Sequence, residues 1–211
     1  MFGIDEAGKG PVLGPMVAAC VSVPDESVLP EGIGDSKRLA PTRRETLAES
    51  MFEDERTKLG IAVVEPTRID APETDMNSLT VGAHAEAARQ VVEPGMEGIC
   101  DAADVDAARF VRRVSERLPA VELTGEHGAD EVHSIVGAAS IVAKVERDSR
   151  ISALEPEYGE VGSGYPSDPT TRTFLSSYVA EFGELPACAR TSWKTSKDVL
   201  AAETQETLAE F

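Results

Sequence analysis

The chain has 211 residues, 41% hydrophobic and 5% aromatic, and carries −18 from 38 acidic against 20 basic side chains. That is enough for one sizeable aliphatic core, and no apolar run nears the roughly 20 residues of a membrane span. The three cysteines, Cys20, Cys100 and Cys188, are odd in number and lie far apart outside any CxxC pattern, so reduced thiols are expected and a zinc site is not.

The acidity argues at first against a nucleic-acid partner, because phosphate contacts need cations. The bases are mostly arginine, and the few lysines include Lys9, Lys37, Lys144, Lys194 and Lys197, all in otherwise noteworthy stretches. An acidic, lysine-poor, Ala/Val-rich composition suits molar salt, where the Debye length is roughly 3 Å and surface repulsion is screened. Net charge is therefore read as habitat and not as partner.

Taken in order, residues 2–5 and 16–23 read as strands joined by a Gly/Pro loop, the second (MVAACVSV) apolar throughout and hence buried. The lead-in to Phe2 leaves no room for a secretory leader, and a cytoplasmic protein is expected. A Pro/Gly/Asp loop ends in GDSKRL. A helix is expected over 41–56, with Pro41 at its first position, then a strand over 59–64 stopped by Pro66. Apolar spacing at Leu79, Ala83, Ala87 and Val91 marks a helix over 75–92. A short strand at 98–101 ends on Asp101, a helix covers 105–118, a fifth strand 120–123, and one long helix 131–154. After the turn-rich stretch 157–169 come a helix over 170–182 and a terminal helix from about 197. This alternation after an initial hairpin points to an α/β fold with a mixed sheet. Residues 1–155 are expected to form the main domain and 156–211 a C-terminal helical extension packed on it.

The chemistry concentrates in GIDEAGKG, residues 3–10. Asp5 and Glu6 follow a short apolar strand and Gly8-Lys9-Gly10 follows them. Asp101 ends another strand, and Asp130 sits where a loop enters a helix. Carboxylates gathered at the carboxyl ends of strands repel unless divalent cations neutralise them, and oxygen ligands favour Mg²⁺ or Mn²⁺. Any one acid among 38, taken singly, reads more readily as a solvated or capping residue. GIDEAGKG also approaches the phosphate-binding pattern GxxxxGK[ST], but Gly10 stands where the hydroxyl belongs and two acids intrude; a P-loop phosphotransferase is disfavoured.

In GAASIVAKVERD, Ser140, Lys144 and Arg147 share one helix face, fitting either phosphate contact or ordinary solvated charge. His127 lies three residues before Asp130 and reads as a loop histidine; His84 and His133 show no pattern. Tyr165, in GSGYPSDP, offers a ring for stacking on a sugar or base, or else plugs the core. Trp193 reads as an anchor for the extension.

GIDEAGKGPVLGPMVAA, GDSKRL, DAADVD, EHGADEVHSIVGAASIVAKVERD and GSGYPSDP occur together and in this order. The chain resembles the type 2 ribonuclease H (ribonuclease HII) family in its archaeal-like form, over nearly its whole length. The resemblance implies a ribonuclease H-like mixed sheet flanked by helices. It also implies endonucleolytic cleavage of RNA in RNA–DNA hybrids and at ribonucleotides embedded in duplex DNA. It assigns Asp5, Glu6, Asp101 and Asp130 as catalytic, metal-binding carboxylates for two Mg²⁺ or Mn²⁺ ions, with products bearing 5′-phosphate and 3′-hydroxyl ends. It assigns Gly8, Lys9 and Gly10 to a backbone motif that reads the 2′-OH, Tyr165 to sensing the ribose–deoxyribose junction, and Ser36 and Lys37 to the neighbourhood of the substrate. The family has Arg where this chain has Lys9, a mild change if the backbone does the reading. Ser140, Lys144 and Arg147 join the substrate contacts. The alternative is a catalytically inactive RNA–DNA hybrid-binding protein. A monomer is expected, and a sliding-clamp contact through the C-terminus has no clear motif behind it.

Overall fold

The computed structural model describes residues 1–33 and 39–209, with the backbone alone for 205–209. Five strands form one mixed sheet: β1 (Phe2–Ala7), β2 (Met16–Ser22), β3 (Lys58–Val64), β4 (Glu97–Asp101) and β5 (Glu122–Glu126). Their order is β3-β2-β1-β4-β5. β1 is central, antiparallel to β2 and parallel to β4, and the β4–β5 pair is also parallel.

The sheet is buried on both faces, which is why β2 reads as an unbroken apolar run. Met16, Ala18 and Cys20 point to one core, shared with α3 (Met76–Arg89) and α4 (Ala107–Ser115). Ala19 and Val21 point to the other, shared with α1 (Pro41–Glu53) and α6 (Ser134–Ser152). A Cβ at Gly3 would collide with the carbonyl of Ile135, so β1 and α6 touch backbone to backbone. That contact brings the α6 face carrying Ser140 onto Asp5.

Several boundaries differ from the sequence expectations. β1 runs through Asp5 and Glu6 to Ala7, because β2 keeps pairing with it as far as Val17 opposite Ala7. β5 lies later than 120–123, in parallel register with β4. α3 and α4 are shorter than expected, each starting after a capping aspartate. Asp75 accepts from the Ser78 amide at 2.9 Å and Asp106 from the Arg109 amide at 2.9 Å. Pro66 opens a short helix, α2 (Pro66–Ile69), which was not expected. The long helix expected over 131–154 is two helices, α5 (Ala129–Val132) and α6, separated by an extended His133 (φ −113°, ψ 114°). The His133 carbonyl accepts from the amides of Val136 and Gly137 to start α6, and its ring bonds Glu126 at 2.8 Å. The break folds α5 back, so that a Cβ at Gly137 would lie 3.1 Å from the Asp130 carbonyl oxygen.

Beyond α7 (Glu155–Tyr158) come α8 (Pro169–Phe182) and α9 (Lys194–Ala209). A third apolar cluster joins Val161, Leu175, Cys188 and Ala189 to Val12 and Leu13 of the β1–β2 loop. Val12 and Leu13 amides donate to the Gly164 carbonyl, and Leu13 bridges to Ala189. The C-terminal segment is thus held against the loop that follows Asp5 and Glu6. Among the described residues no helix is long and apolar enough to cross a membrane. The three cysteines are free and buried, and burial pushes the Cys100 thiol up to about 12 and the Cys188 thiol up to about 11.

Candidate active site

Strand alternation sends Asp5 and Glu6 to opposite faces of β1. Asp5 lies under α6, buried, with a hydrogen bond to Ser140 and its Oδ1 accepting from the Glu6 amide at 2.8 Å. Glu6 faces α3, where its Oε2 sits 2.7 Å from Nε2 of His84. His84 is fully buried, edge-on to Phe110. The parallel pairing of Ile4 with Cys100 sets Asp101 beside Asp5 at the carboxyl edge of the sheet. Asp101 Oδ1 accepts from the Ala129 amide at 2.9 Å, at the start of α5, and Asp130 is buried one residue further on.

These carboxylates feel one another. Burial first, then the charges of Glu6 and Asp101, hold the Asp5 carboxyl well above the ordinary range, against the Ser140 hydrogen bond. Asp101 is raised mainly by burial, opposed by the Ala129 amide and reinforced by Glu6 and Asp130. A cation among them would remove that penalty, and an all-oxygen donor set suits a hard divalent ion. The side chains stand turned to protein partners, Glu6 to His84 and Asp101 to Ala129. Among the described residues no three metal-binding side chains already close around a single point.

Next to the carboxylates lies a cleft of about 470 Å³, lined by Glu6, residues 7–10, Arg44, Lys144, Arg147, Asp148 and Tyr165. Gly8 has φ +84°, and a Cβ there would lie 2.8 Å from the Pro15 carbonyl oxygen and 3.3 Å from Arg147. A Cβ at Gly10 would meet nothing within 4 Å. Lys9 Nζ donates to the Ala103 carbonyl (2.5 Å) and to Asn77 (3.1 Å), tying the loop to α3 and the β4–α4 connection. On α6, Lys144 donates to Ser140 at 2.7 Å. Buried Arg147 donates to the Ser163 carbonyl at 2.6 Å and lies 5.0 Å from the centre of the Tyr165 ring. Tyr165 is 39% exposed, on a turn pinned by Ser163–Asp168 and Gly164–Thr171 hydrogen bonds. Arg44 meets Asp148 at 3.4 Å. The larger clefts, about 640 Å³ between α8 and α9 and about 700 Å³ beside α3, include none of the four carboxylates.

The structure therefore gathers Asp5, Glu6, Asp101 and Asp130 at one sheet edge, with Gly8, Lys9, Gly10, Lys144, Arg147 and Tyr165 around the adjoining cleft and Ser140 between the two sets. Ser36 and Lys37 lie outside the described residues. His127 bonds the Ala102 carbonyl at 2.9 Å.

A family model described as Ribonuclease HII matches residues 2–196. The chain belongs to the ribonuclease HII family. A Ribonuclease HII of Haloarcula marismortui is 59% identical over 211 residues, covering 100% of this chain and 99% of the relative. One of Halobacterium salinarum is 54% identical, with 100% and 99% covered. Such relatives agree with reading the acidic composition as salt adaptation. Among solved structures, the ribonuclease H2 of Pyrococcus horikoshii superposes with TM-score 0.88 at 35% identity, covering 97% of this chain and 98% of that one. A PCNA:RNase HII complex from Archaeoglobus fulgidus superposes with TM-score 0.85 at 38% identity, with 94% and 95% covered. Membership makes the chain a ribonuclease H, a metal-dependent endonuclease acting on RNA–DNA hybrids.

Sequence reasoning missed three residues at this ribonuclease HII site: Arg44, His84 and Arg190. Arg44 follows GDSKRL closely and was visible as a base near a noted motif. His84 sits among the small residues of α3, one position after Ala83 of the apolar spacing. Arg190 precedes Trp193, the only nearby signal. Arg190 is fully buried, and burial together with the charge of Arg147 pushes it down to about 10.

Proposed function

We propose that Asp5, Glu6, Asp101 and Asp130 hold two divalent ions, Mg²⁺ or Mn²⁺, and that the enzyme hydrolyses the RNA strand of hybrids and cuts at single ribonucleotides in duplex DNA. The observation that carries this reading is the placement of Asp5 beside Asp101 by the Ile4–Cys100 register of β1 and β4, each carboxyl raised first by burial and further by neighbouring carboxylates, next to a cleft that holds Arg44, Lys144 and Arg147 on a protein of charge −18. When bound, such ions supply an activated water and neutralise charge on the departing oxygen.

The protein's own groups do the rest. Arg44, Lys144 and Arg147 meet backbone phosphates, and clustering them in one cleft is how an acidic protein keeps a cationic groove. The amides around Gly8-Lys9-Gly10 contact the 2′-OH, which marks RNA. Tyr165, propped on Arg147, stacks at the neighbouring sugar. Water and not the 2′-OH is the attacking group, so products carry 5′-phosphate and 3′-hydroxyl ends. Residues 1–155 act as the catalytic domain and 156–211 as its extension, in a cytoplasmic monomer. The Archaeoglobus relative's complex with PCNA supports a sliding-clamp contact here too, through the C-terminal residues.

A labelled duplex with one ribonucleotide, incubated in molar KCl with Mg²⁺ or Mn²⁺ and subjected to end-group analysis, tests the reading. The expected result is a single cut with a 3′-hydroxyl. An intact duplex with Mg²⁺, Mn²⁺ and Co²⁺ would overturn it.

A further inference from the structure

The 8–10 loop is held from behind by a residue with no counterpart in the catalytic set. The Arg190 guanidinium donates from Nη2 to the Gly8 carbonyl (2.6 Å), from Nη1 to the Lys9 carbonyl (3.0 Å) and from Nε to the Gly14 carbonyl (3.0 Å). The Trp193 indole donates to the next carbonyl, Gly10, at 3.1 Å, and its ring lies 5.0 Å from the guanidinium carbon. Among the described residues no carboxylate is paired with Arg190; its hydrogen bonds go to main-chain oxygens. Burying an unpaired cation is costly, and an apolar residue of similar size would fill the space more cheaply. The chain instead spends a guanidinium on three peptide groups.

The consequence follows from peptide planarity. In a trans peptide the carbonyl of one residue and the amide of the next point in opposite directions, and the described chain has no cis bond. Turning the carbonyls of Gly8 and Lys9 onto Arg190 turns the amides of Lys9 and Gly10 the other way, into the cleft with Lys144, Arg147 and Tyr165. Among the described residues neither amide donates to a protein acceptor, and Pro11 contributes none. Two adjacent outward amides form a small nest for an oxygen ligand. Arg190 is itself fixed: its amide donates to the Val12 carbonyl at 2.8 Å and its carbonyl accepts from Ser196 at 2.8 Å.

We infer that Arg190 is a positioning residue, supplied by the C-terminal segment, that orients the Lys9 and Gly10 amides and thereby sets discrimination between ribose and deoxyribose. This rests on the reading of the loop as the ribose contact. Arg190→Lys keeps the charge and loses the three-pronged grip. Trp193→Phe keeps an aromatic ring beside Arg190 and loses the bond to Gly10 together with part of the indole packing, so it serves if the arginine variant does not fold.

The test is paired. Amide NMR shifts and exchange rates of Lys9 and Gly10 report loop orientation without any cleavage. Kinetics on single-ribonucleotide and all-DNA duplexes report discrimination. Expected for Arg190→Lys are displaced, faster-exchanging Lys9 and Gly10 amides and a fall of about 100-fold in kcat/KM on the ribonucleotide duplex, the scale of a small misplacement near a reacting group. Binding of the all-DNA duplex should change less than about twofold, since the cleft cations that make phosphate contacts remain. Trp193→Phe should show the same pattern, weaker and centred on Gly10. Unmoved amides with wild-type discrimination would overturn the inference. If the wild-type protein cuts no ribonucleotide duplex, the functional reading fails, while the amide shifts still decide whether Arg190 orients the loop.

Discussion

His84 Nε2 lies 2.7 Å from Glu6 Oε2, a contact between residues 78 apart that joins α3 to β1 inside the core. The other ring nitrogen, Nδ1, is buried without a hydrogen-bond partner, beside Phe110. One Glu6 oxygen is thereby engaged by the protein.

Outer partners of this kind commonly change metal affinity or activity by about 10–100-fold. His84→Ala is expected to raise the Mn²⁺ concentration for half-maximal binding, read by calorimetry on the protein alone, and to lower cleavage at limiting metal. His84→Gln, which retains a donor, should recover part of the loss. Identical Mn²⁺ titrations for all three proteins would refute the link.

The raised Asp5 carboxyl predicts a trade between stability and activity. Burial and the charges of Glu6 and Asp101 disfavour its ionised form. Asp5→Asn should therefore melt higher than wild type in chelator, by about 2–4 °C for each kcal/mol relieved in a chain of this size. It should also gain less stability from added Mn²⁺ and show no cleavage. Thermal melts with EDTA and with Mn²⁺ check this; a lower melting point in EDTA would contradict it.

Gly8 and Gly10 should separate fold from substrate. At Gly8 a side chain meets the Pro15 carbonyl and a left-handed backbone, so Gly8→Ala should destabilise the chain by about 1–3 kcal/mol. At Gly10 it enters open space, so Gly10→Ala should melt like wild type yet cut the ribonucleotide duplex poorly if, as proposed, the substrate backbone approaches there. Denaturant titration and cleavage rates distinguish the two.

Asp70 ties the start of α9 to the body. Burial alone would raise its carboxyl, but hydrogen bonds from the amides and hydroxyls of Ser192 and Thr191 outweigh it and hold it below the usual value. A depressed folded value means stability that is present above the unfolded value of about 4 and lost as pH falls through the folded one. Asp70→Asn should thus be less stable than wild type at pH 7, and the gap should shrink steadily below about pH 4. Denaturation at stepped pH measures it; a gap that persists unchanged at the acid end would refute the assignment.

Much of the site was legible because its signals are local. Asp5 and Asp101 each follow a short apolar run, at the end of β4 for Asp101 and two residues before the end of β1 for Asp5, and two parallel strands side by side leave such residues adjacent. Gly8 and Gly10 mark a loop whose backbone matters, and Ser140, Lys144 and Arg147 follow from helical spacing alone. The break at His133 was not legible, since GADEVHSIVG carries continuous helical character and only packing of α5 against Gly137 decides the turn. The mixed α/β order and the candidate site residues were thus readable in the sequence itself, through strand and helix periodicities that each span a few positions. The contacts of His84, Arg44 and Arg190 were decided only by tertiary structure. Arg190 and Gly8 are 182 residues apart, and no local pattern encodes which distant carbonyls a buried guanidinium will find.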